Sequence, residues 1–244
     1  MIVGMTENSQ KKKTALVSGA SSGIGAATAR ALAADGWQVI IAARRVDRLE
    51  ALAGEIGATP HVLDVTSDES VSGLAEAVGD IDLLVNNAGG AKGLDSIHDA
   101  RLEDWTWMYE TNVLGTLRMT RAFMDRLIAA DGLIVNIGSV AAHVPYAGGA
   151  GYNAAKHGVA AMTRVLRLET HSQTLRVTEI DPGRVATEEF SLVRFGGDAE
   201  KAKAVYDDVL NLSADDIAET VRWVASLPPH VNIDSMRVVP RDQI

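Results

Sequence analysis

The chain contains no cysteine. Disulfide bridges, thiolate metal sites and cysteine nucleophiles are excluded together, and the absence fits a cytoplasmic protein. No apolar run approaches the roughly 20 residues that a membrane span requires, so no membrane partner is expected. Basic residues are in deficit: 23 Lys and Arg against 32 Asp and Glu leave a formal net charge of −9. Nucleic acid needs a basic surface and is not an expected partner. The histidines, His61, His98, His143, His157, His171 and His230, show no HExxH or comparable ligand spacing, so no metal site is expected. Internal repeats and domain-linking stretches are also missing.

What is present is 47% hydrophobic and 23% charged over 244 residues, a globular composition long enough for one sizeable core. Residues 1–12 read as a loose leader, because a short apolar start followed by lysines reverses the order of a secretory signal. Apolar runs at Thr14–Val17, Gln38–Ala43, Thr59–Leu63, Ile81–Val85, Leu133–Ile137, Leu175–Ile180 and Met236–Val239 read as strands. Between them, Ala26–Ala34, Val46–Ile56, Ser67–Val78, about Leu102–Ala130, Tyr152 to about Ser172, and Ser213–Ala225 read as helices. Ser213 is the expected N-cap of the last, with Asp216 three residues on. This alternation predicts a single doubly wound α/β domain (Rossmann type) over 13–244, a parallel sheet of about seven strands with helices on both faces. The pattern turns irregular and polar from Glu188 to Val209, and the excursion at about 186–209 reads as a substrate lid or as a plain surface loop.

The first strand ends at Ser18 and runs into Gly19-Ala-Ser-Ser-Gly23-Ile-Gly25 and a helix. Strand, glycine turn and helix in that order make a phosphate site: the glycines permit close backbone approach and the helix N-terminus offers unpaired N–H groups. The second strand ends at Ala43 followed by Arg44 and Arg45. An NAD site would place an acidic residue there for the ribose hydroxyl, whereas two arginines suit a 2′-phosphate, so NADP(H) is the expected cofactor. Solvated arginines at a helix start are the other reading. Asp64 ends the third strand, there either to meet an adenine amino group or to cap the helix that follows. Asn86-Asn87-Ala88-Gly89-Gly90 ends the fourth, with small residues over which a cofactor can lie. Asn112 sits inside the long helix, where asparagine competes for backbone bonds, and marks a kink or a water site. Trp105 and Trp107 read as packing residues.

The chain is organised around Ile137 to Lys156. Ser139 ends an apolar strand, a glycine-rich loop follows, and Tyr152 and Lys156 lie four apart on one helix face. A free phenol has a pKa of about 10, and a nearby ammonium lowers it. Tyr152 is thereby suited to move a proton to or from an alcohol or carbonyl, with Ser139 holding the oxygen.

Together these residues resemble the short-chain dehydrogenase/reductase family from Lys13 to the C-terminus. Its glycine motif falls on Ser18 to Gly25 with serine for the usual threonine, its N-N-A-G on Asn86–Gly89, its Asn-Ser-Tyr-Lys tetrad on Asn112, Ser139, Tyr152 and Lys156, and its P-G turn on Pro182-Gly183. Within the family, Thr187–Phe195, Leu227–Ile233 and the run at 145–149 are similar to NADP-dependent 3-hydroxy acid dehydrogenases of the serine or allo-threonine type. The ending Pro240–Ile244 is similar to that of clavulanate-pathway aldehyde reductases. Arg184-Val-Ala-Thr187 departs from the aliphatic residue and glycines that follow the turn in the former group.

The resemblance implies hydride transfer between nicotinamide and a carbinol carbon, a homotetramer, and cofactor contacts from Gly19, Ser21, Ser22, Gly23, Ile24, Gly25, Arg44, Arg45, Asp64, Val65, Asn87, Ala88, Gly89, Tyr152, Lys156, Pro182, Gly183, Val185 and Thr187. Lys156 would hold the nicotinamide ribose and Asn112 a water. Substrate contacts are expected from Ser139, Tyr146, Tyr152, Arg184, Phe190 and Arg194, the arginines as clamps for a carboxylate. A small 3-hydroxy acid is the expected substrate. The alternatives are a bulkier aldehyde or ketone, and a catalytically silent NADPH-binding sensor or scaffold.

Overall fold

The computed structural model describes residues 12–243; the leader, but for Lys12, lies outside them. Elements follow the chain as β1 (Thr14–Ser18), α1 (Gly23–Ala34), β2 (Gln38–Ala43), α2 (Val46–Ile56), β3 (Thr59–Val62), α3 (Asp68–Ala77) and β4 (Leu83–Asn86). Next come α4 (Leu102–Tyr109), a π-helical segment (Glu110–Leu114), α5 (Gly115–Ala129), β5 (Leu133–Ile137), a 3-10 turn (Val140–Ala142), α6 (Ala150–Glu169) and β6 (Arg176–Pro182). The chain closes with α7 (Phe190–Arg194), α8 (Ala199–Ala204), α9 (Ala214–Ser226) and β7 (Ser235–Val238).

The seven strands form one sheet in the order β3-β2-β1-β4-β5-β6-β7, with every pair parallel. Alternate side chains enter opposite faces, as the pleat requires. Ala15, Val17, Leu83, Val85, Leu133 and Val135 join a core under α1, α2 and α9, while Leu16, Leu84 and Ile134 join one under α3 and α5. Central strands buried on both faces explain the unbroken apolar runs. Fully burying a leucine or isoleucine there contributes about 1.5–3 kcal/mol. Ser213 and Asp216 form the expected reciprocal cap on α9, and Ser67 caps α3 by accepting from Ser70 N at 3.1 Å.

Two expectations are corrected. The helix read over Leu102–Ala130 is interrupted by the π segment. There Asn112 turns its amide back on the backbone, donating to Met108 O at 2.7 Å and to Gly90 O at 2.9 Å, and Thr116 bonds Asn112 O at 2.7 Å. Side chains that claim carbonyls in this way open the ladder. The excursion after β6 carries two short helices, α7 and α8. Its base is pinched by backbone bonds from Ala186 N to Leu212 O (2.8 Å) and from Leu212 N to Arg184 O (2.9 Å).

Chain order reverses between β1 and β4, the place where open parallel sheets leave a crevice at their carboxyl ends. No helix among the described residues is long and apolar enough to cross a membrane.

Candidate active site

A cleft of about 1110 Å³ opens over the carboxyl ends of β1, β4, β5 and β6. All residues expected to touch cofactor or substrate line it except Gly25, and Asn112, expected to hold a water, also lies off it.

The wall begins at the β1 turn. Ser18 Oγ donates to Val85 O at 3.2 Å and accepts from Asn87 N and Ala88 N at 3.1 and 3.2 Å. Asn87 Nδ2 returns bonds of 3.1 Å to Ser18 O and Gly19 O. A hydroxyl suffices for this brace, so serine replaces threonine at little cost. Gly19 has φ +66, and a Cβ there would lie 2.8 Å from Ala88 Cα. Ser22 occupies the N-cap of α1 with no side-chain cap bond, which leaves first-turn amides of α1 open at the cleft edge.

Arg44 and Arg45 reach the same edge. Arg45 Nη2 bonds Ser21 Oγ at 2.8 Å and Ser22 Oγ at 3.0 Å, and its Nη1 pairs with Glu189 of the excursion. Arg48 Nη1 meets the same carboxylate at 2.8 Å. Asp64 does not cap α3. Its Oδ1 accepts from Thr66 N and Thr66 Oγ1 at 2.9 and 2.7 Å, bonds that hold its carboxyl below the ordinary range against the opposing effect of burial.

Ser139, Tyr152 and Lys156 converge at the tip of β5, all buried. Burial raises the Tyr152 phenol, while a hydrogen bond with Ser139 and the charge of Arg194 work the other way. The expectation that Lys156 lowers the phenol is corrected. Its Nζ stands 5.8 Å from the Tyr152 ring centroid and donates to Ile137 O at 2.9 Å. Burial pulls the Lys156 ammonium down to about 8, against Glu179 and Asp181. Desolvation governs both groups. Asn112 is not on the cleft. It braces the Gly90 turn by a two-way contact, accepting from Gly90 N at 3.2 Å. Trp105 and Trp107 pack beside the apolar cluster that holds Tyr152, as expected of them.

The two candidate clamps part company. Arg184 bonds Leu210 O at 3.0 Å and Asp242 Oδ1 at 3.2 Å, which commits it to the end of the excursion and the C-terminal tail. Arg194 instead donates to Tyr146 Oη at 2.8 Å and to Gly93 O at 3.1 Å, with its guanidinium 6.0 Å from the Tyr152 ring. Phe190 meets Tyr152 edge to face at 5.6 Å.

Three residues here are not singled out by motif: Glu189, Glu179 and Asp181. Glu189 has no sequence signal, being 144 positions from Arg45. Glu179 and Asp181 do have one, two acids at alternating positions in an apolar strand and so on one face. Burial, with the Asp181 charge beside it, pushes the Glu179 carboxyl from 4.5 up to about 8. Its folded value is raised, so its contribution to stability is whole below about pH 4.5 and is lost as pH rises through about 8. Glu179→Gln is therefore expected to flatten the fall in Tm over that window. Thermal melts across a pH series check this, and an equally steep fall in the variant removes Glu179 as the cause.

Residues 13–194 match the family described as short chain dehydrogenase. An uncharacterized oxidoreductase of Mycobacterium tuberculosis is 55% identical over 240 residues, 98% of this chain and 95% of that protein. The NADP-dependent 3-hydroxy acid dehydrogenase YdfG of Salmonella typhi is 44% identical over 235 residues, 93% of this chain and 95% of its own. Among solved structures, the closed form of serine dehydrogenase complexed with NADP+ superimposes with a TM-score of 0.92 at 40% identity, covering 95% of this chain and 96% of that one.

Proposed function

Because this chain belongs to the short-chain dehydrogenase family, and so is an oxidoreductase, we propose that it interconverts a secondary alcohol and a carbonyl with NADP(H), acting on a small 3-hydroxy acid. The residues fit the dinucleotide. A Cβ at Gly19 would collide with the backbone of Ala88, so glycine lets the β1 turn pack on the β4 turn, while the uncapped first turn of α1 at Ser22 leaves amides for phosphate. Arg44 and Arg45 would hold the 2′-phosphate, and Arg45 already grips hydroxyls of the glycine turn. When bound, the dinucleotide supplies the hydride acceptor or donor.

The rest is the work of side chains. Ser139 Oγ orients the substrate oxygen, and Tyr152 Oη moves the proton. Held above its ordinary value by burial, the phenol is protonated at neutral pH and ready to donate to a carbonyl. Lys156, anchored on Ile137 O, would hold the ribose. The tetramer expected of the family is supported by apolar side chains left exposed on its long helices, Leu117 on α5 and Val165 and Leu168 on α6.

The observation that carries the choice of substrate is Arg194, a guanidinium set between Tyr146 and Tyr152, where a carboxylate beside the reacting carbon would lie. A panel of 3-hydroxy acids with NADP+ or NAD+, and of neutral aldehydes and ketones with NADPH, tests it by NADPH absorbance. Turnover of a 3-hydroxy acid with NADP+ over NAD+ is expected. Arg194→Leu should raise its KM roughly 10- to 150-fold, the worth of one bond to a charged group at about 1.5–3 kcal/mol. KM for a neutral carbonyl should stay within about twofold, since it loses no charge-assisted bond. Equal KM values for the acid in variant and wild type would remove Arg194 as the clamp. Leu94, Val144, Val193 and Val205 also line the cleft and favour the second reading, a bulkier apolar carbonyl, which the same panel detects.

A further inference from the structure

β5 and β6 are joined rung by rung as far as Gly138 N, which donates to Ile180 O at 2.7 Å. The next rung is made by a side chain: Ser139 N donates to Asp181 Oδ1 at 2.9 Å. The other carboxylate oxygen meets His143 Nε2 at 2.8 Å. His143 follows directly on the 3-10 turn that begins after Ser139, so the segment 139–143 is closed into a ring through one carboxylate. Asp181 is fully buried, and a buried carboxylate must keep such partners. Glu179 lies beside it on the same face of the strand. Gly138 completes the fit: a Cβ there would collide with Asp181 and stand 2.7 Å from Glu179 Oε1. The carboxyls are thus pressed against the backbone of the segment that presents Ser139.

We propose that Asp181 is a positioning residue for Ser139, and that His143 is the arm that holds Asp181 in place. The proposal rests on the reading above, in which Ser139 Oγ orients the substrate oxygen. Charge-assisted bonds in a water-excluded site are short and directional, so they can fix a hydroxyl to the fraction of an ångström that proton transfer demands. His143 is partly exposed and can be replaced without opening the core.

His143→Ala is expected to lower kcat about tenfold, since displacements of about 1 Å in a reacting array cost up to roughly 10²-fold. The Kd for NADPH, read by fluorescence titration, should stay within about twofold. His143→Gln supplies a side-chain donor again and should recover most of kcat, a rescue that mere packing loss would not show. Asp181→Asn keeps an acceptor for Ser139 N and should exceed Asp181→Ala in kcat. A His143→Ala enzyme with unchanged kcat, or one that loses NADPH affinity as much as turnover, overturns the proposal. If Tyr152→Phe is inactive in parallel, that failure belongs to Asp181 and His143 alone; if Tyr152→Phe is active, the reading of the site itself has failed.

Discussion

Tyr152→Phe is expected to lower turnover by about 10²- to 10⁴-fold, the range that a positioned proton donor or acceptor contributes, while NADPH binds with nearly unchanged affinity. The substitution removes one oxygen and leaves the ring. Its edge-to-face contact with Phe190 at 5.6 Å and its place in the apolar cluster with Met108, Val113 and Val159 survive. Ser139 Oγ still accepts from Ala141 N at 3.1 Å, so the loop has no cause to move. The loss should therefore sit in kcat and not in folding or cofactor affinity. Initial rates at saturating NADPH, beside a fluorescence titration for Kd, check this. Comparable turnover in the variant would mean that the proton travels by another group. In the wild type, burial holds the phenol above its ordinary range, so alcohol oxidation, which needs the tyrosinate, should still be rising at the alkaline end of a pH profile.

The second large effect is expected at Gly25. A Cβ there would collide with the carbonyl of Gly19 and come within 2.5 Å of Asn87 Nδ2. Both belong to the brace that holds the glycine turn against the β4 turn, so the methyl cannot be absorbed by rotating a side chain. Overpacking of this kind costs about 1–3 kcal/mol, which for a chain of this size lowers Tm by roughly 2–12 °C. Displacing the turn should also weaken NADPH binding by more than about tenfold, because the amides and hydroxyls meant for phosphate move with it. Gly54 on α2, with nothing within 4 Å of its added Cβ, is the control. Gly54→Ala should be neutral or stabilising by up to about 1 kcal/mol. Calorimetry on both variants separates crowding from glycine content, and a Gly25→Ala protein that melts like the wild type would refute the crowding argument.

The fold was legible wherever the determining signal is local. Central strands such as Leu133–Ile137 are uninterrupted apolar runs because the sheet is covered on both faces, and α2 is bounded where its periodicity begins and ends. The glycine turn, the Tyr152–Lys156 spacing and the Pro182-Gly183 turn are likewise short-range patterns. What was not legible depends on contacts between distant residues. The apolar periodicity of Leu102–Ala130 continues through the π segment; Asn112 marks the break in the sequence, but its partner Gly90, 22 positions away, does not show there. α7 and α8 are too short for a periodic signal and are tied by contacts such as Ser191 Oγ to Tyr206 Oη at 2.7 Å. The charge states at the site were misjudged for a related reason. Sequence places an ammonium near a phenol but does not report how little water reaches either.

The strand order also sets a timetable. Leu16 and Leu84 face each other across β1 and β4, 68 residues apart, whereas β2 and β3 reach the other side of β1 much sooner. At the roughly 5–20 residues per second of synthesis, one flank of β1 waits about 3–14 s for its partner. Until then an apolar, unsatisfied strand edge is available to any other chain in the same condition. Yield on refolding should accordingly fall with protein concentration, and the edge of β1 that waits for β4 is where aggregates would begin.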